Sequence, residues 1–298
     1  MSHVAFLGVG AMGLGMAARL VGAGERVVAY DVVPEALAKA NAAGCEAAAS
    51  AEAAVAGAAT IITMLPAGAH VRRLYAETIA PNAKKGALVI DCSTIDVESA
   101  REVAAQASAA GLRAADAPVS GGTAGAEAGT LTFMVGCDGA LFETVRQQLA
   151  PMARAVVHAG GAGAGQAAKI CNNMVLGISM LGVCEAFALA EKLGLAPERF
   201  FEIASQSSGQ CWSLTTYCPW PGPVPTAPSN RSYEGGFLTS LMLKDLKLAQ
   251  EAAAKSGAAT PLGAQAEATY ALFERLGYGR KDFSAVLQLM RGALGELK

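Results

Sequence analysis

The chain of 298 residues has few charges and few histidines for its size. Charged residues make up 16% of the sequence and the formal net charge is −2, so no basic field is available to bind a phosphate backbone. We therefore expect no nucleic-acid partner. The three histidines, at positions 3, 70 and 158, lie far apart, which favours neither a histidine metal site nor a Ser-His-Asp triad. We expect no bound metal.

The sequence also lacks an obvious disulfide framework and a membrane segment. Its seven cysteines are an odd number scattered through apolar runs, a pattern typical of small buried thiols in a reducing compartment. The apolar N-terminus has no preceding basic region, unlike a secretory signal. The longest later apolar run, residues 174–184, has only about half the length of a membrane-spanning helix. We expect a cytoplasmic protein with no membrane partner.

Hydrophobic residues make up 53% of the chain, enough for one large or two moderate domains. Through about residue 160, short apolar or β-branched runs alternate with alanine-rich helical stretches, which is typical of βαβ units and a mainly parallel sheet. The predicted strands are residues 4–7, 26–30, 60–64, 87–90, 113–115, 131–135 and 155–158.

The pattern becomes helical after residue 165. One long helix is predicted over residues 166–193, and shorter ones over 238–255, 261–276 and 282–289. The intervening segment 211–236 contains five prolines and four large aromatic residues, a composition that disfavours regular structure. A loop this long in a compact domain is usually functional. The domain boundary is expected near residues 160–165.

A glycine turn, Gly8-Val-Gly-Ala-Met-Gly13, follows the first predicted strand and opens a helix. In that context the spacing places a pyrophosphate at a helix N-terminus. Asp31 stands at the end of the next strand, where a carboxylate binds both ribose hydroxyls and repels a 2′-phosphate. The motif therefore predicts NAD rather than NADP; a plain glycine-rich cap with Asp31 as a turn residue is the alternative.

A second glycine turn, Asp116-Ala-Pro-Val-Ser-Gly-Gly122, follows another predicted strand. Loops at the carboxyl ends of such strands line the ligand crevice of a doubly wound sheet. Ser120 and the backbone N–H groups of Gly121 and Gly122 would suit a substrate carboxylate. A simple Ser-Gly-Gly turn is the alternative.

Lys169 and Asn173 lie four residues apart in the predicted long helix, so an amine and an amide share one helix face. A lysine in these apolar surroundings either lies in a reactive cleft or extends its amine from a half-exposed surface. Hydride transfer from an alcohol needs a group that takes the hydroxyl proton, and a lysine desolvated or placed beside a second cation can do so. Lys244 is the candidate second cation; an ion pair with Asp245 is the alternative.

In these motifs and their order, the sequence resembles the β-hydroxyacid dehydrogenases across nearly the whole chain. The resemblance rests on residues 8–13, 116–122, 165–173 and 244–246. The segments 207–212, 217–222, 233–237 and 282–284 are most similar to those of members that oxidise 3-hydroxyisobutyrate. The resemblance implies an α/β fold with a Rossmann-type doubly wound domain over residues 1–163. It also implies an all-α domain over 164–298, which begins with a long interdomain helix at 165–193, and a homodimer or homotetramer.

The resemblance also implies roles for individual residues. Lys169 would be the catalytic acid and base, and Asn173 would hold the substrate. The other implied substrate residues are Ser120, Gly121, Gly122, Trp212, Tyr217 and Phe237. The implied NAD residues are Gly8, Gly10, Met12, Gly13, Asp31, Leu65, Pro66, His70, Thr94, Lys244 and Asp245.

The implied activity is NAD-dependent oxidation of 3-hydroxyisobutyrate to methylmalonate semialdehyde, a step of valine breakdown. Relatives with similar loops act on L-serine or on tartronate semialdehyde and glycerate, and these remain alternatives. One small group separates the substrates, and a hydrophobic pocket discriminates a single methylene by only about 1–3 kcal/mol. A non-catalytic cofactor-binding scaffold is a remote alternative, because such a protein would be expected to lose Lys169.

Overall fold

The structure is a computed structural model that describes residues 3–297. Its strands form one nine-stranded sheet in the order β3-β2-β1-β4-β5-β6-β8-β7, with β9 beside β8. The strands are β1 (Val4–Leu7), β2 (Val27–Tyr30), β3 (Glu46–Ala47), β4 (Thr60–Thr63), β5 (Leu88–Asp91), β6 (Arg113–Asp116), β7 (Val119–Ser120), β8 (Leu131–Gly136) and β9 (Ala153–Gly160).

The first six strands are parallel, and β1 lies at the centre between β2 and β4. Val4 pairs with both Val27 and Thr60, so the strand order reverses at β1. This is the order of a doubly wound dinucleotide fold, whose ligands bind beyond the carboxyl ends of the strands at the reversal. The predicted Rossmann-type sheet is confirmed. The strand β8 pairs antiparallel with β6 and β7, and β9 runs parallel to β8.

Helices cover both faces of the sheet, which is why β1, β4 and β5 are buried along their whole length. Successive side chains of a strand point to opposite faces. Phe6 accordingly packs in one apolar cluster with Met16, and Leu7 packs in another with Tyr75. The helices of this region are α1 (Gly13–Gly22), α2 (Pro34–Ala42), α3 (Ala51–Val55), α4 (Gly68–Leu74), α5 (Ala80–Asn82), α6 (Val97–Ala109), α7 (Gly122–Ala128) and α8 (Gly139–Leu149).

The rest of the chain is helical, as predicted. The chain divides into two compact units, one ending at Lys169 and one beginning at Ile170. The second unit has its own apolar core, which contains Phe187, Tyr270 and Phe283. The helices from here on are α9 (Ala164–Lys192), α10 (Pro197–Ala204), α11 (Trp212–Thr215), α12 (Thr239–Ser256), α13 (Pro261–Phe273) and α14 (Val286–Arg291).

The helix α9 matches the helix predicted over residues 166–193 and extends beyond the apolar run of residues 174–184 on both sides. By length and composition alone it is sufficient to cross a membrane. Core helices of globular proteins meet the same criterion. Met180, Cys184 and Phe187 of α9 are fully buried in the core of the second unit.

Three details differ from the sequence predictions. The strands β3 and β7 were missed because two residues are too few to show a periodic pattern. The segment 211–236 was expected to lack regular structure, yet it contains α11 and a 3-10 turn at Pro228–Arg231, where proline occupies the first position and needs no N–H partner. All seven cysteines are free thiols, but Cys171 is exposed and Cys211 half-buried rather than buried.

Candidate active site

The glycine turn between β1 and α1 is closely packed at its two ends and open at its middle. Gly8 has φ +95°, and a Cβ there would overlap the Met64 carbonyl oxygen. A Cβ at Gly13 would overlap the carbonyl oxygen of Gly8. At Gly10 a Cβ would meet nothing within 4 Å, and this residue is exposed. The turn therefore leaves an open surface at the start of α1, which fits a dinucleotide pyrophosphate.

Asp31 lies directly after β2, and its carboxylate is fixed against the same turn. Its Oδ2 accepts a hydrogen bond from the N–H of Val9 at 2.8 Å, and its Oδ1 accepts one from the N–H of Val33 at 2.9 Å. A carboxylate oxygen can accept more than one hydrogen bond, so Asp31 retains capacity for ribose hydroxyls. Met12 is half-buried and packs against the core beneath the turn.

Two loops predicted to face the nicotinamide are joined by Ser93. The Ser93 hydroxyl accepts a hydrogen bond from the N–H of Leu65 at 2.8 Å and donates one to Oδ1 of Asp91 at 2.6 Å. This connects the loop after β4 to the loop after β5. Leu65 and Thr94 are half-buried in these loops, whereas Pro66 and His70 are exposed.

Asp91 is the buried anchor of this pair of loops. Its Oδ1 also accepts a hydrogen bond from the Thr63 hydroxyl at 2.7 Å. Burial raises the pKa of Asp91 to about 6, although the hydrogen bonds from Ser93 and Thr63 oppose the shift. Within residues 3–297, neither Asp91 Oδ2 nor the buried hydroxyl of Tyr75 has a hydrogen-bond partner. Sequence analysis did not single out Asp91, because a carboxylate ending a buried strand carries no local signal of its contacts.

The predicted carboxylate-binding turn begins with β7. Gly121 has φ +139° and Gly122 has φ +63°, conformations that other residues rarely adopt. Ser120 is half-buried at the end of β7 and Gly121 is exposed. The turn therefore places a half-buried hydroxyl beside an exposed glycine, and its binding of a carboxylate stays a prediction.

Asp116, at the other end of the same motif, caps the start of α9. Its Oδ1 accepts a hydrogen bond from the N–H of Gly163 at 2.7 Å, and its Oδ2 accepts one from the N–H of Gln166 at 2.9 Å. Burial raises the pKa of Asp116, and the backbone hydrogen bonds from Gly163 and Gln166 oppose that rise. Lys169 follows one turn into α9 and is only 6% exposed. The predicted catalytic lysine is thus placed by a buried helix cap that sequence analysis missed.

In the second unit, Asn173 is bound to the helix α12. Its Nδ2 donates a hydrogen bond to Oδ2 of Asp245 at 2.5 Å, and it is 1% exposed. The Lys244 amine lies 3.8 Å from Oδ1 of Asp245, so the ion pair considered as the alternative for these two residues is present. Asp245 therefore orients the Asn173 amide and also contacts the predicted second cation.

Of the three predicted aromatic residues of the second unit, Tyr217 and Phe237 bind the buried carboxylate of Asp282, and Trp212 stacks on Tyr217. The rings of Trp212 and Tyr217 stack with centroids 4.8 Å apart. Asp282 Oδ2 accepts a hydrogen bond from the Tyr217 hydroxyl at 2.7 Å and one from the N–H of Phe237 at 2.8 Å. Burial, followed by the charge of Asp282, raises the pKa of Tyr217. The family resemblance included residues 282–284, but the anchoring role of Asp282 is visible only in the structure.

A doubly wound sheet with this glycine turn and with Asp31 after β2 defines a dinucleotide-dependent oxidoreductase domain. Residues 3–161 match the family model of the NAD binding domain of 6-phosphogluconate dehydrogenase. Residues 163–290 match the family model described as NAD-binding of NADP-dependent 3-hydroxyisobutyrate dehydrogenase. The two matches together account for most of the chain.

Relatives cover almost the full length. A probable 3-hydroxyisobutyrate dehydrogenase of Mycobacterium tuberculosis is 50% identical over 98% of both chains. The NAD-dependent L-serine dehydrogenase of Pseudomonas aeruginosa is 47% identical over 99% of this chain and 100% of its own. The structure of the Mycobacterium tuberculosis 3-hydroxyisobutyrate dehydrogenase with L-serine is 49% identical and matches with a TM-score of 0.94, over 98% of this chain and 99% of that one.

The chain therefore belongs to the β-hydroxyacid dehydrogenase family, the family of 3-hydroxyisobutyrate dehydrogenase. This confirms the resemblance seen in the sequence motifs. The protein is an oxidoreductase with NAD as its cofactor. The roles of its individual residues stay predictions.

We expect the double substitution Asp31→Ser and Val32→Arg to move cofactor preference toward NADP. Val32 is 83% exposed, so an arginine fits there and can pair with a 2′-phosphate that Asp31 would repel. The NADP to NAD ratio of kcat/KM should rise by about 10-fold or more, which corresponds to about 1.4 kcal/mol. Val32→Arg alone is the matched control, because it keeps the carboxylate and should shift the ratio less. An unchanged ratio in the double variant would refute this role for Asp31.

Proposed function

We propose that the protein catalyses NAD-dependent oxidation of 3-hydroxyisobutyrate to methylmalonate semialdehyde, a step of valine breakdown. The observation that carries the proposal is the buried Lys169, held one turn beyond the Asp116 cap in a dinucleotide-binding unit. The names of relatives at 43–50% identity support the substrate. The retained lysine also disfavours a non-catalytic scaffold.

Lys169 acts as the general base in the proposed reaction. NAD, when bound, would supply the acceptor for the hydride that leaves the hydroxymethyl carbon of the substrate. The Lys169 amine takes the hydroxyl proton as the carbon–oxygen double bond forms, and it returns that proton in the reverse direction. Lys169 is 6% exposed, so little water competes for this transfer. Ser120, Gly121 and Gly122 bind the substrate carboxylate, supported by the two left-handed glycines of that turn.

The second unit supplies the remaining substrate residues in this proposal. Asn173 holds the substrate hydroxyl region, and its fixed hydrogen bond to Asp245 supports that role because the amide is already oriented. Trp212, Tyr217 and Phe237 contact the methyl-bearing part of the substrate. The bonds of Tyr217 and Phe237 to Asp282 and the stacking of Trp212 on Tyr217 support this role. Lys244 serves as the second cation near the nicotinamide.

The dinucleotide residues follow the geometry of the first unit. Gly8, Gly10 and Gly13 approach the pyrophosphate, and the open surface at Gly10 supports this role. Asp31 binds the ribose, supported by its bond to the N–H of Val9 in the same turn. The two loops joined by Ser93 contact the nicotinamide. The other proposed cofactor residues are Met12, Leu65, Pro66, His70, Thr94 and Asp245. We also propose that residues 1–163 form the NAD-binding domain and that residues 164–298 form the C-terminal domain.

L-Serine is the second candidate substrate. A relative at 47% identity is named NAD-dependent L-serine dehydrogenase, and a relative at 49% identity has been solved with L-serine. The chemistry at the hydroxymethyl carbon is the same for both substrates. They differ in whether a methyl or an ammonium group stands on the neighbouring carbon.

The substrate is tested by initial rates of NAD reduction with both enantiomers of 3-hydroxyisobutyrate, L-serine and D-glycerate. We expect kcat/KM for one 3-hydroxyisobutyrate enantiomer to exceed that for L-serine and D-glycerate by about 10-fold or more, equivalent to about 1.4 kcal/mol of transition-state discrimination. A lead for L-serine or D-glycerate would keep the mechanism and replace the substrate. Inactivity with all four compounds would favour the scaffold.

The lysine mechanism is tested by Lys169→Ala. Loss of the general base should lower kcat by about 10²–10⁴-fold while NADH still binds. Lys192→Ala is the matched control, because Lys192 is an exposed lysine at the far end of the same helix and should leave kcat unchanged. A Lys169→Ala variant that binds NADH and retains its turnover would contradict the mechanism.

We also propose a homodimer or homotetramer in a reducing, cytoplasmic environment. The seven free thiols support a reducing compartment.

The exposed side of α9 carries a residue of the sequence Val175, Gly182 and Leu189 at every seventh position, and both apolar side chains are 60% exposed. Such a stripe on a helix is typical of an interface between subunits. We expect Leu189→Glu to lower the sedimentation coefficient relative to the unmodified protein, and an unmodified protein that sediments as a monomer would contradict the proposal.

A further inference from the structure

The side chain of Gln166 binds both peptide groups that flank Thr94. Its Nε2 donates a hydrogen bond to the carbonyl oxygen of Ser93 at 2.7 Å, and its Oε1 accepts one from the N–H of Ile95 at 3.1 Å. The first group belongs to the peptide bond before Thr94 and the second to the one after it. Gln166 is fully buried, so these two bonds are shielded from water.

The backbone of Gln166 is fixed as well, because its N–H donates to Oδ2 of Asp116 at 2.9 Å. Lys169 is three residues further along α9, and residues at this spacing are neighbours on one helix face. The turn that carries Lys169 is therefore attached to β6 through Asp116 and to the loop after β5 through the Gln166 amide. All of these groups lie in the unit that ends at Lys169.

The loop held by Gln166 also holds its neighbour. The Ser93 hydroxyl accepts a hydrogen bond from the N–H of Leu65, and Asp91 orients that hydroxyl. Leu65 and Thr94 are the two half-buried residues predicted to face the nicotinamide. A continuous set of hydrogen bonds thus runs from the proposed nicotinamide wall to the turn of α9 that carries the proposed base, and those made by Asp91 and Gln166 are buried.

We propose that Gln166 is a positioning residue that sets the spacing between Lys169 and the nicotinamide wall formed by Leu65 and Thr94. The inference rests on the proposed function, in which Lys169 is the base. An apolar side chain of the same length would fill the space but would leave the carbonyl of Ser93 and the N–H of Ile95 without this partner. A paired amide differs from such a side chain in fixing both the distance and the rotation of the helix turn relative to the loop.

The test is Gln166→Met, which keeps the length of the side chain and the Asp116 cap but removes both hydrogen bonds to the loop. We expect kcat to fall by about 10–100-fold, since small displacements of a reacting group have effects of this size. NADH affinity should change less than about 3-fold, and the primary deuterium isotope effect on kcat should rise because the chemical step becomes slower. Gln166→Asn is a second variant that keeps a neutral amide too short to reach both peptide groups.

Gln148→Met is the matched control. Gln148 accepts a hydrogen bond from the Thr60 hydroxyl at 3.0 Å in the same unit, but it does not contact α9 through that bond. This substitution removes a tertiary glutamine hydrogen bond of similar kind and should leave both kcat and the isotope effect unchanged. Equal kinetic losses in the two methionine variants would overturn the proposal.

The decisive measurement combines Gln166→Met with Lys169→Ala. If Gln166 acts through Lys169, the double variant should have the same residual kcat as Lys169→Ala alone, because the base that Gln166 positions is absent. If Gln166→Met lowered kcat by the same factor in the Lys169→Ala background as it does alone, Gln166 would act independently of Lys169. That result would overturn the inference. Full turnover in Lys169→Ala would instead contradict the proposed role of Lys169 as the base, and the inference with it. A wild-type rate for Gln166→Met beside an impaired Lys169→Ala would reject the inference alone.

Discussion

The placement of α9 depends on the buried carboxylate of Asp116. The first N–H groups of a helix have no partners within it, and a carboxylate removed from water needs donors. The N–H groups of Gly163 and Gln166 donate to Oδ1 and Oδ2 of Asp116 at 2.7 and 2.9 Å. The carboxylate and the N–H groups at the start of the helix therefore satisfy one another. Gly165 allows this approach, since a Cβ there would overlap the Met134 carbonyl oxygen and contact Asp116. The position of Lys169 follows from where this cap starts the helix.

Buried carboxylates organise the second unit in the same way. Asp282 is fully buried and accepts hydrogen bonds from Tyr217, from the backbone of Phe237 and from both the backbone and the hydroxyl of Ser284. Burial raises its pKa, and the donors oppose the rise. The proline-rich segment 211–236 is therefore attached to the start of the last helical region by side-chain bonds, which explains its order despite its composition.

Local patterns predicted what depends on local physics. The alternation of short apolar runs with alanine-rich stretches located β1 and the other long parallel strands. The spacing of the glycines located the dinucleotide turn, and Asp31 lies beside it. The cap by Asp116 and the amide contacts of Gln166 join residues about 50 to 70 positions apart, and no periodicity records such pairs. Sequence analysis could therefore identify Lys169 as a candidate base but not the groups that hold it.

Substrate choice is harder to derive than cofactor choice because the two depend on different forces. In the role proposed for Asp31, its carboxylate meets either ribose hydroxyls or a 2′-phosphate, and the energies differ strongly. In the second unit the Tyr217 hydroxyl is already donated to Asp282, so Tyr217 and Trp212 offer mainly their rings to a ligand. A ring face attracts a methyl group by dispersion and an ammonium group through cation–π interaction, with comparable energies of about 1 kcal/mol. If these rings line the substrate pocket as proposed, small shifts would suffice to change its preference between a hydroxyacid and an amino acid. Relatives named for each kind of substrate are 50% and 47% identical to this chain.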